Sequence, residues 1–129
     1  MKPLLLAAAL TCAGCAQQDA ALLVTIQGAF RVPSDVDKLV LDVFDGQTVI
    51  KHKEWCALAQ DQALGCDALP LQPSLSGSVT LVQTGAAHPH IKINAEVLQN
   101  KLTVGLGTAQ ADFAGGKTLD VRVTLTRTQ

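Results

Sequence analysis

The chain has 129 residues, a length typical of one domain. Its 10 lysines and arginines against 11 aspartates and glutamates give a net charge of -1, so it lacks the basic excess of a nucleic-acid-binding protein. Hydrophobic residues make up 48%, which excludes a disordered chain, and aromatic residues make up 3%, which is low for a surface that stacks on sugars or bases.

The first 15 residues have the three-part pattern of a secretory signal peptide. Lys2 supplies the positive charge, residues 4–10 form a short apolar run, and small residues follow. The apolar run is far shorter than the roughly 18–20 residues that a membrane-spanning helix requires. We therefore expect residues 1–15 to be removed rather than to fold with the domain.

Ala13, Gly14 and Cys15 resemble the end of a bacterial lipoprotein signal, in which small residues precede a cysteine that becomes the lipidated N-terminus. The resemblance implies lipidation at Cys15 by acyl chains such as palmitate, with the lipid bilayer as partner. Because Ala16 follows, it also implies the outer membrane of a Gram-negative cell envelope. Several acyl chains supply the multiple signals that stable anchoring requires. The alternatives are modification of Cys12, simple secretion after cleavage behind Ala16, and retention of the segment in the core.

Residues 16–20 are expected to form a short tether before a β-sandwich domain over 21–129. The main signal is the alternation of apolar and polar residues, which is typical of strands with one buried face. It predicts six strands through the apolar residues Leu22, Val24 and Ile26; Leu39, Leu41 and Val43; Val79 and Leu81; Ile91, Ile93, Ala95 and Val97; Leu102, Val104 and Leu106; and Leu119, Val121, Val123 and Leu125. Residues 49–55 predict a further strand at a sheet edge, because their lysines discourage edge-to-edge pairing.

Turn-forming residues separate these strands. Asp45 and Gly46 predict a hairpin between the second and third strands, and residues 99–101 predict a tight turn. Residues 57–64 lack the alternation and predict one or two helical turns.

Two of the four cysteines lie in the mature domain, at Cys56 and Cys66. An even pair favours a disulfide in an oxidising compartment, with two free thiols as the alternative. The bridge would close a loop of about ten residues, to which the chain-entropy model assigns roughly 3 kcal/mol. The spacing is not that of a zinc knuckle. Trp55, next to Cys56, is predicted to pack over this bridge or over the end of the sandwich.

Seven short strands, spaced about every dozen residues, predict an all-β chain folded as an antiparallel β-sandwich. Residues 32–43 and 112–121 resemble small secreted modules of the immunoglobulin-like or transthyretin-like type found in Gram-negative lipoproteins. The resemblance implies a β-sandwich over most of residues 20–127. The chain departs from antibody domains, because it has no tyrosine and no distant cysteine pair around a central tryptophan.

The histidines are His52, His88 and His90. Two imidazoles two residues apart can chelate a transition metal, but they offer at most half of a tetrahedral shell. No carboxylate is evident beside them in the sequence. The presence of Pro89 between them is explained by a turn before a strand. We therefore predict no metal site.

Other polar residues also favour structural roles. Four aspartates, interpreted as solvated residues rather than as a calcium site, are Asp35, Asp37, Asp42 and Asp45. The serines in segments rich in proline and glycine, which match no nucleophile elbow, are Ser34, Ser74, Ser76 and Ser78. Gly105 and Gly107 lack the helix that a dinucleotide-binding turn requires, and predict a bulge or a close backbone approach. We predict no catalytic residue and no cofactor.

These features predict a non-enzymatic, membrane-anchored lipoprotein of the bacterial envelope. It would act as a structural or protein-interaction β-sandwich module, with an envelope or surface protein as partner and no nucleic acid. The alternative is a periplasmic or surface module that binds a small ligand or a metal through His88 and His90. An apolar cleft with converging polar groups would favour the ligand hypothesis, whereas a flat apolar patch or a free sheet edge would favour a protein partner.

Overall fold

Two β-sheets face each other across the core in the computed structural model, which describes residues 20–83 and 90–128. Cys12, Cys15, the tether up to residue 19, and His88 lie outside the described residues. The described chain forms one helical turn, α1 (Ala59–Gln62), and nine strands: β1 (Ala21–Gly28), β2 (Lys38–Asp45), β3 (Thr48–Cys56), β4 (Asp67–Ala68), β5 (Leu75–Val82), β6 (His90–Gln99), β7 (Leu102–Asp112), β8 (Thr118–Thr124) and β9 (Thr126–Arg127). None of its helices is long and apolar enough to span a membrane.

The smaller sheet has the order β5-β1-β8, and the larger has the order β4-β3-β2-β6-β7-β9. The all-β sandwich predicted from the sequence is confirmed. Its sheets are mixed rather than purely antiparallel, because β8 pairs parallel to β1 and β4 pairs parallel to β3. The β1–β8 pair joins the first and last long strands of the domain after the chain has crossed between sheets, and such a crossover permits parallel pairing.

The alternation in the sequence correctly predicts most of the core. The predicted apolar residues on β1, β2 and β6 are all buried, and they are Leu22, Val24, Ile26, Leu39, Leu41, Val43, Ile91, Ile93, Ala95 and Val97. The loop between β1 and β2 adds Phe30, which is 1% exposed, together with Val32 and Val36. The core is therefore sealed by a loop as well as by the two sheets.

The inner face of β7 differs from the prediction. Leu102 and Leu106, expected inside, are 71% and 46% exposed, whereas Gly105 and Gly107 are buried. A register shift in the pairing of β6 with β7 marks a β-bulge, and the side chains that follow it lie on the opposite face from the one predicted.

The predicted close approach at the two glycines is confirmed. A Cβ on Gly105 would lie 2.5 Å from Phe30 Cζ, and a Cβ on Gly107 would lie 2.5 Å from the carbonyl oxygen of Thr124. Neither distance permits a side chain, so the inner face of β7 is set by what packs against it. Leu106, between the two glycines, faces outward because glycine alone fits on the inner face beside it.

The predicted strand through Leu119, Val121, Val123 and Leu125, which contains β8, buries its apolar residues at one end. Val123 and Leu125 are buried, Val121 is half-buried, and Leu119 is 38% exposed because β8 is an edge strand. After Thr124 the chain leaves the smaller sheet, and β9 pairs with β7 in the larger one.

Turns predicted from the sequence are also present. Asp45 and Gly46 close the β2–β3 hairpin, with Gly46 at φ +62°. The β6–β7 turn places Asn100 and Lys101 at φ 52° and 70°, the left-handed values that a tight hairpin turn requires. The helical segment predicted over residues 57–64 is one turn, α1.

Candidate functional site

The candidate site begins at the outer edge of β5 in the smaller sheet, where no other strand of residues 20–83 and 90–128 pairs. The main-chain N–H groups of Leu75 and Gln83 donate to residues that flank β1, both at 2.9 Å. The odd-numbered residues of β5 therefore direct their main-chain groups toward β1. Because these directions alternate along an antiparallel strand, the main-chain groups of Ser78, Thr80 and Val82 point away from the sheet.

Strand β5 carries no charged residue from Leu75 to Val82. The opposite edge of the same sheet, β8, includes Asp120 and Arg122, and the exposed strand β3 includes several charges. Charged side chains at sheet edges discourage pairing with another chain. Among the edge strands in the described ranges, β5 is the one best suited to accept an added strand.

An apolar cleft of about 230 Å³ opens between the two sheets beside β5. Its lining, which we call the edge cleft, is formed by Ile26, Leu39, Trp55, Ala68, Leu69, Pro70, Ser76, Gly77 and Ser78. Ile26 and Leu39 form its floor and are each 1% exposed, so the cleft reaches the core. Gly77 leaves a gap in its wall, because a Cβ there would meet nothing within 4 Å.

The disulfide supports the wall of the edge cleft opposite β5. Cys56 and Cys66 are joined, as the cysteine count predicted, with their Cα atoms 5.8 Å apart. The N–H of Leu69 then donates to the carbonyl oxygen of Cys56 at 2.9 Å. The bridge thus fixes the loop that returns Leu69 and Pro70 to the cleft.

Trp55 packs against the core and lines the edge cleft. It is half-buried against the core, and its indole ring lies 5.3 Å from Lys53 Nζ. Lys53 also forms an ion pair with Asp67. These contacts hold the indole ring in place in the lining of the edge cleft.

A polar cluster occupies the outer face of the β2–β3 hairpin. His52 Nδ1 lies 2.5 Å from Asp42 Oδ1, and its Nε2 lies 2.7 Å from Glu54 Oε2. Hydrogen bonds to Asp42 and then to Glu54 raise the pKa of His52, while His52 and then Lys38 lower the pKa of Glu54. Lys38 Nζ completes the cluster at 3.1 Å from Glu54 Oε1.

This cluster borders a polar depression of about 420 Å³ near the disulfide. Its two lysines are already matched, because Lys38 pairs with Glu54, and Lys53 pairs with Asp67. An anionic ligand would have to displace one of these partners. The depression therefore offers weaker recognition than an edge whose main-chain groups face solvent.

Of the two histidines weighed as a metal pair and predicted not to be one, only His90 belongs to the described residues. His88 lies outside the described residues. His90 is joined to Asp112, with 2.6 Å between Nδ1 and Oδ1, and this hydrogen bond raises the pKa of His90. This carboxylate was not evident in the sequence, because only the β6–β7 register places Asp112 directly opposite His90. No group of three histidine, cysteine or acidic side chains within residues 20–83 and 90–128 is arranged to hold a metal ion.

The four predicted aspartates are not gathered at one point. The N–H of Arg31 donates to Asp35 at 2.8 Å, and this bond lowers the pKa of Asp35. Asp42 binds His52. Asp37, expected to be solvated, is 8% exposed, and its carboxylate accepts the N–H of Asn100 at 3.1 Å. Asp37 therefore stabilises the β6–β7 turn rather than facing water.

The serine prediction needs correction at two positions. Ser34 lies in a turn and Ser74 in a bend, as expected, but Ser76 and Ser78 belong to β5. The predicted strand began only at Val79, because proline and glycine obscured the alternation before it. The sequence did not identify the β5 edge as a site, although its run without charge was a signal that could have done so.

No protein-family model and no curated protein matches the chain. A solved structure from Bacteroides thetaiotaomicron VPI-5482, of a DUF1812 protein proposed to bind polysaccharide, is similar with 11% identity and a TM-score of 0.46. The match covers 84% of this chain and 48% of that one, so the chain spans about half the length of the DUF1812 protein.

Proposed function

We propose that the chain is a non-catalytic interaction module that binds an extended segment of a partner protein as an added strand beside β5. In the cell it would be anchored to the outer membrane of the bacterial envelope by lipid at Cys15. The observation that carries the proposal is the uncharged edge of β5, beside which no described strand pairs, with the main-chain groups of Ser78, Thr80 and Val82 directed outward.

Strand addition is the recognition mode that such an edge supports. Main-chain hydrogen bonds to an extended peptide supply affinity, and pockets for alternate side chains supply specificity. The side chain of Gln72 accepts the N–H of Ser76 at 3.2 Å, so the open stretch runs from Ser78 to Val82. This stretch is long enough to hold several residues of a partner in register.

Selection of peptides tests the binding mode. A random nine-residue library displayed on phage is selected on the purified full chain and on its Thr80→Pro variant, which lacks the outward N–H. Arg122→Pro, on the opposite edge of the same sheet, is the matched control, and melting curves verify that all three proteins fold. Proline is tolerated at sheet edges when its nitrogen faces solvent.

We expect peptides of extended, alternating pattern that bind the unmodified chain and Arg122→Pro but not Thr80→Pro. Peptides that bind all three proteins equally would contradict strand addition at β5. Failure to select any peptide would contradict the proposed function as well.

The anchor is tested separately. Cys15→Ser should move the protein from the membrane fraction to the soluble fraction of an expressing bacterium, because the acylated residue is lost. Cys12→Ser is the matched control and should stay in the membrane fraction. Release by Cys12→Ser alone would assign the lipid to the other cysteine, and membrane attachment of both variants would refute the anchor.

A further inference from the structure

The edge cleft lies on the inner side of β5, where alternate side chains of an added strand would point. Along β5, Leu75 and Leu81 are buried, so the odd-numbered positions face the core. Gly77 occupies one of these inner positions without a side chain. In a strand paired beside β5, every second side chain would point to the inner side of the sheet. One of these side chains would lie opposite Gly77.

The chemistry of the edge cleft selects the side chain that fits it. Its floor is formed by Ile26 and Leu39, and its wall includes Leu69 and Pro70. None of these residues is charged, and Trp55 contributes the edge of a large apolar ring. A cleft of about 230 Å³ is large enough for a branched aliphatic side chain. A charged group placed there would lose its hydration, and Lys53, which lies beside Trp55, is already paired with Asp67.

Resting on the proposed strand addition at β5, we propose that the edge cleft is a specificity pocket for one branched aliphatic side chain of the partner segment, inserted opposite Gly77. The main-chain groups of β5 then determine that an extended segment binds, and the edge cleft determines which segment binds. The partner is a protein segment of alternating pattern with leucine, isoleucine or valine at one fixed inward position.

Gly77→Val tests the pocket without blocking the edge. A Cβ at this position meets nothing within 4 Å, so the valine can occupy the cleft while β5 keeps its main-chain groups. The same random nine-residue phage library is selected on the full chain and on Gly77→Val. We expect an aliphatic residue at one inward position of the peptides selected on the unmodified chain, and loss of that preference on Gly77→Val.

A synthetic peptide of the selected consensus gives the second readout. Trp55 is the one tryptophan of the chain, so its emission reports on the edge cleft directly. Binding should shift this emission to shorter wavelength, because the inserted side chain displaces water from the indole ring. Replacing the aliphatic residue of the peptide by alanine should weaken binding by about tenfold or more, in line with the burial of several carbon atoms.

The outcomes separate the pocket from the edge. Peptides that depend on Thr80 but show no aliphatic preference, or the same preference on Gly77→Val, would overturn the pocket and leave strand addition standing. Peptides that ignore Thr80→Pro would refute the strand addition on which the pocket rests. An aliphatic preference that is lost in Gly77→Val, together with the shift in Trp55 emission, would establish the pocket.

Discussion

Replacing Gly105 by alanine should destabilise the domain by forcing the Phe30 ring out of its place. The new Cβ would lie 2.5 Å from Phe30 Cζ and 2.8 Å from Val97 Cγ2, whereas carbon atoms in contact prefer about 3.5–4.0 Å. The ring must therefore move by roughly 1 Å. It has little room to do so, because Phe30 is 1% exposed and Arg127 lies 4.5 Å from its centroid.

Overpacking of this kind costs about 1–3 kcal/mol. We expect Gly105→Ala to lower the free energy of unfolding by this amount in urea denaturation followed by circular dichroism. Gly115→Ala is the matched control, because a Cβ on Gly115 meets nothing within 4 Å. Its unfolding midpoint should stay close to that of the unmodified protein.

A second substitution distinguishes ring displacement from a general effect of alanine in a strand. Phe30→Leu removes the ring that the new Cβ meets. The loss in the free energy of unfolding of the double variant should therefore be smaller than the sum of the two single losses by about 1 kcal/mol. Equal midpoints for Gly105→Ala and Gly115→Ala, or strictly additive losses in the double variant, would refute the packing argument.

Three further predictions follow from the same structure. Reduction of the disulfide should lower the free energy of unfolding by about 2–3 kcal/mol, measured as the difference between urea curves with and without reductant, and identical curves would contradict it. Val123→Asp should lower the melting temperature far more than Arg122→Asp, because Val123 is 0% exposed and the new carboxylate would be buried without a partner. Similar melting temperatures would show that the side chain of Val123 does not face the core. The pKa of His52, followed by NMR, should lie above its usual value and should fall in the Asp42→Asn variant. Because the pKa is raised in the folded protein, the stability that His52 contributes should be present at low pH and lost as the pH rises through that pKa. A pKa that does not change in Asp42→Asn would refute the pairing.

The periodicity of the sequence predicts local structure where one face of a strand packs against the core. It succeeds on β1 and β6, where the apolar residues at every second position, from Leu22 to Ile26 and from Ile91 to Val97, are all buried. It fails on β7, because both faces of that strand offer a consistent alternation. Leucines define one face and glycines the other, and the choice depends on Phe30, which comes from a distant loop.

The candidate site was less predictable, because it depends on which strands pair. A free sheet edge was the feature expected to favour a protein partner, but local patterns in the sequence do not indicate which strand lies at an edge. Strand β5 lies at the edge of the described sheet because β8 pairs with β1 and not with β5. No local sequence pattern predicts this parallel pair. The pairs His52–Asp42 and His90–Asp112 were missed for the same reason, since each joins residues that only the strand register brings together.

The unequal size of the two sheets explains why the edge cleft exists. Leu41 and Val43 are buried on the inner face of β2, and their register partners on β3, Lys53 and Lys51, share that face. Lysines are tolerated there because the three-stranded sheet does not extend over β3, so their ammonium groups reach solvent while their stems cover apolar surface. Trp55 lies on the same face of β3 and lines the edge cleft, where the cover by the smaller sheet ends. A fourth strand added to the smaller sheet beside β5 would extend over this uncovered part of β3. The edge of β5 and the edge cleft therefore occur at the same place in the fold.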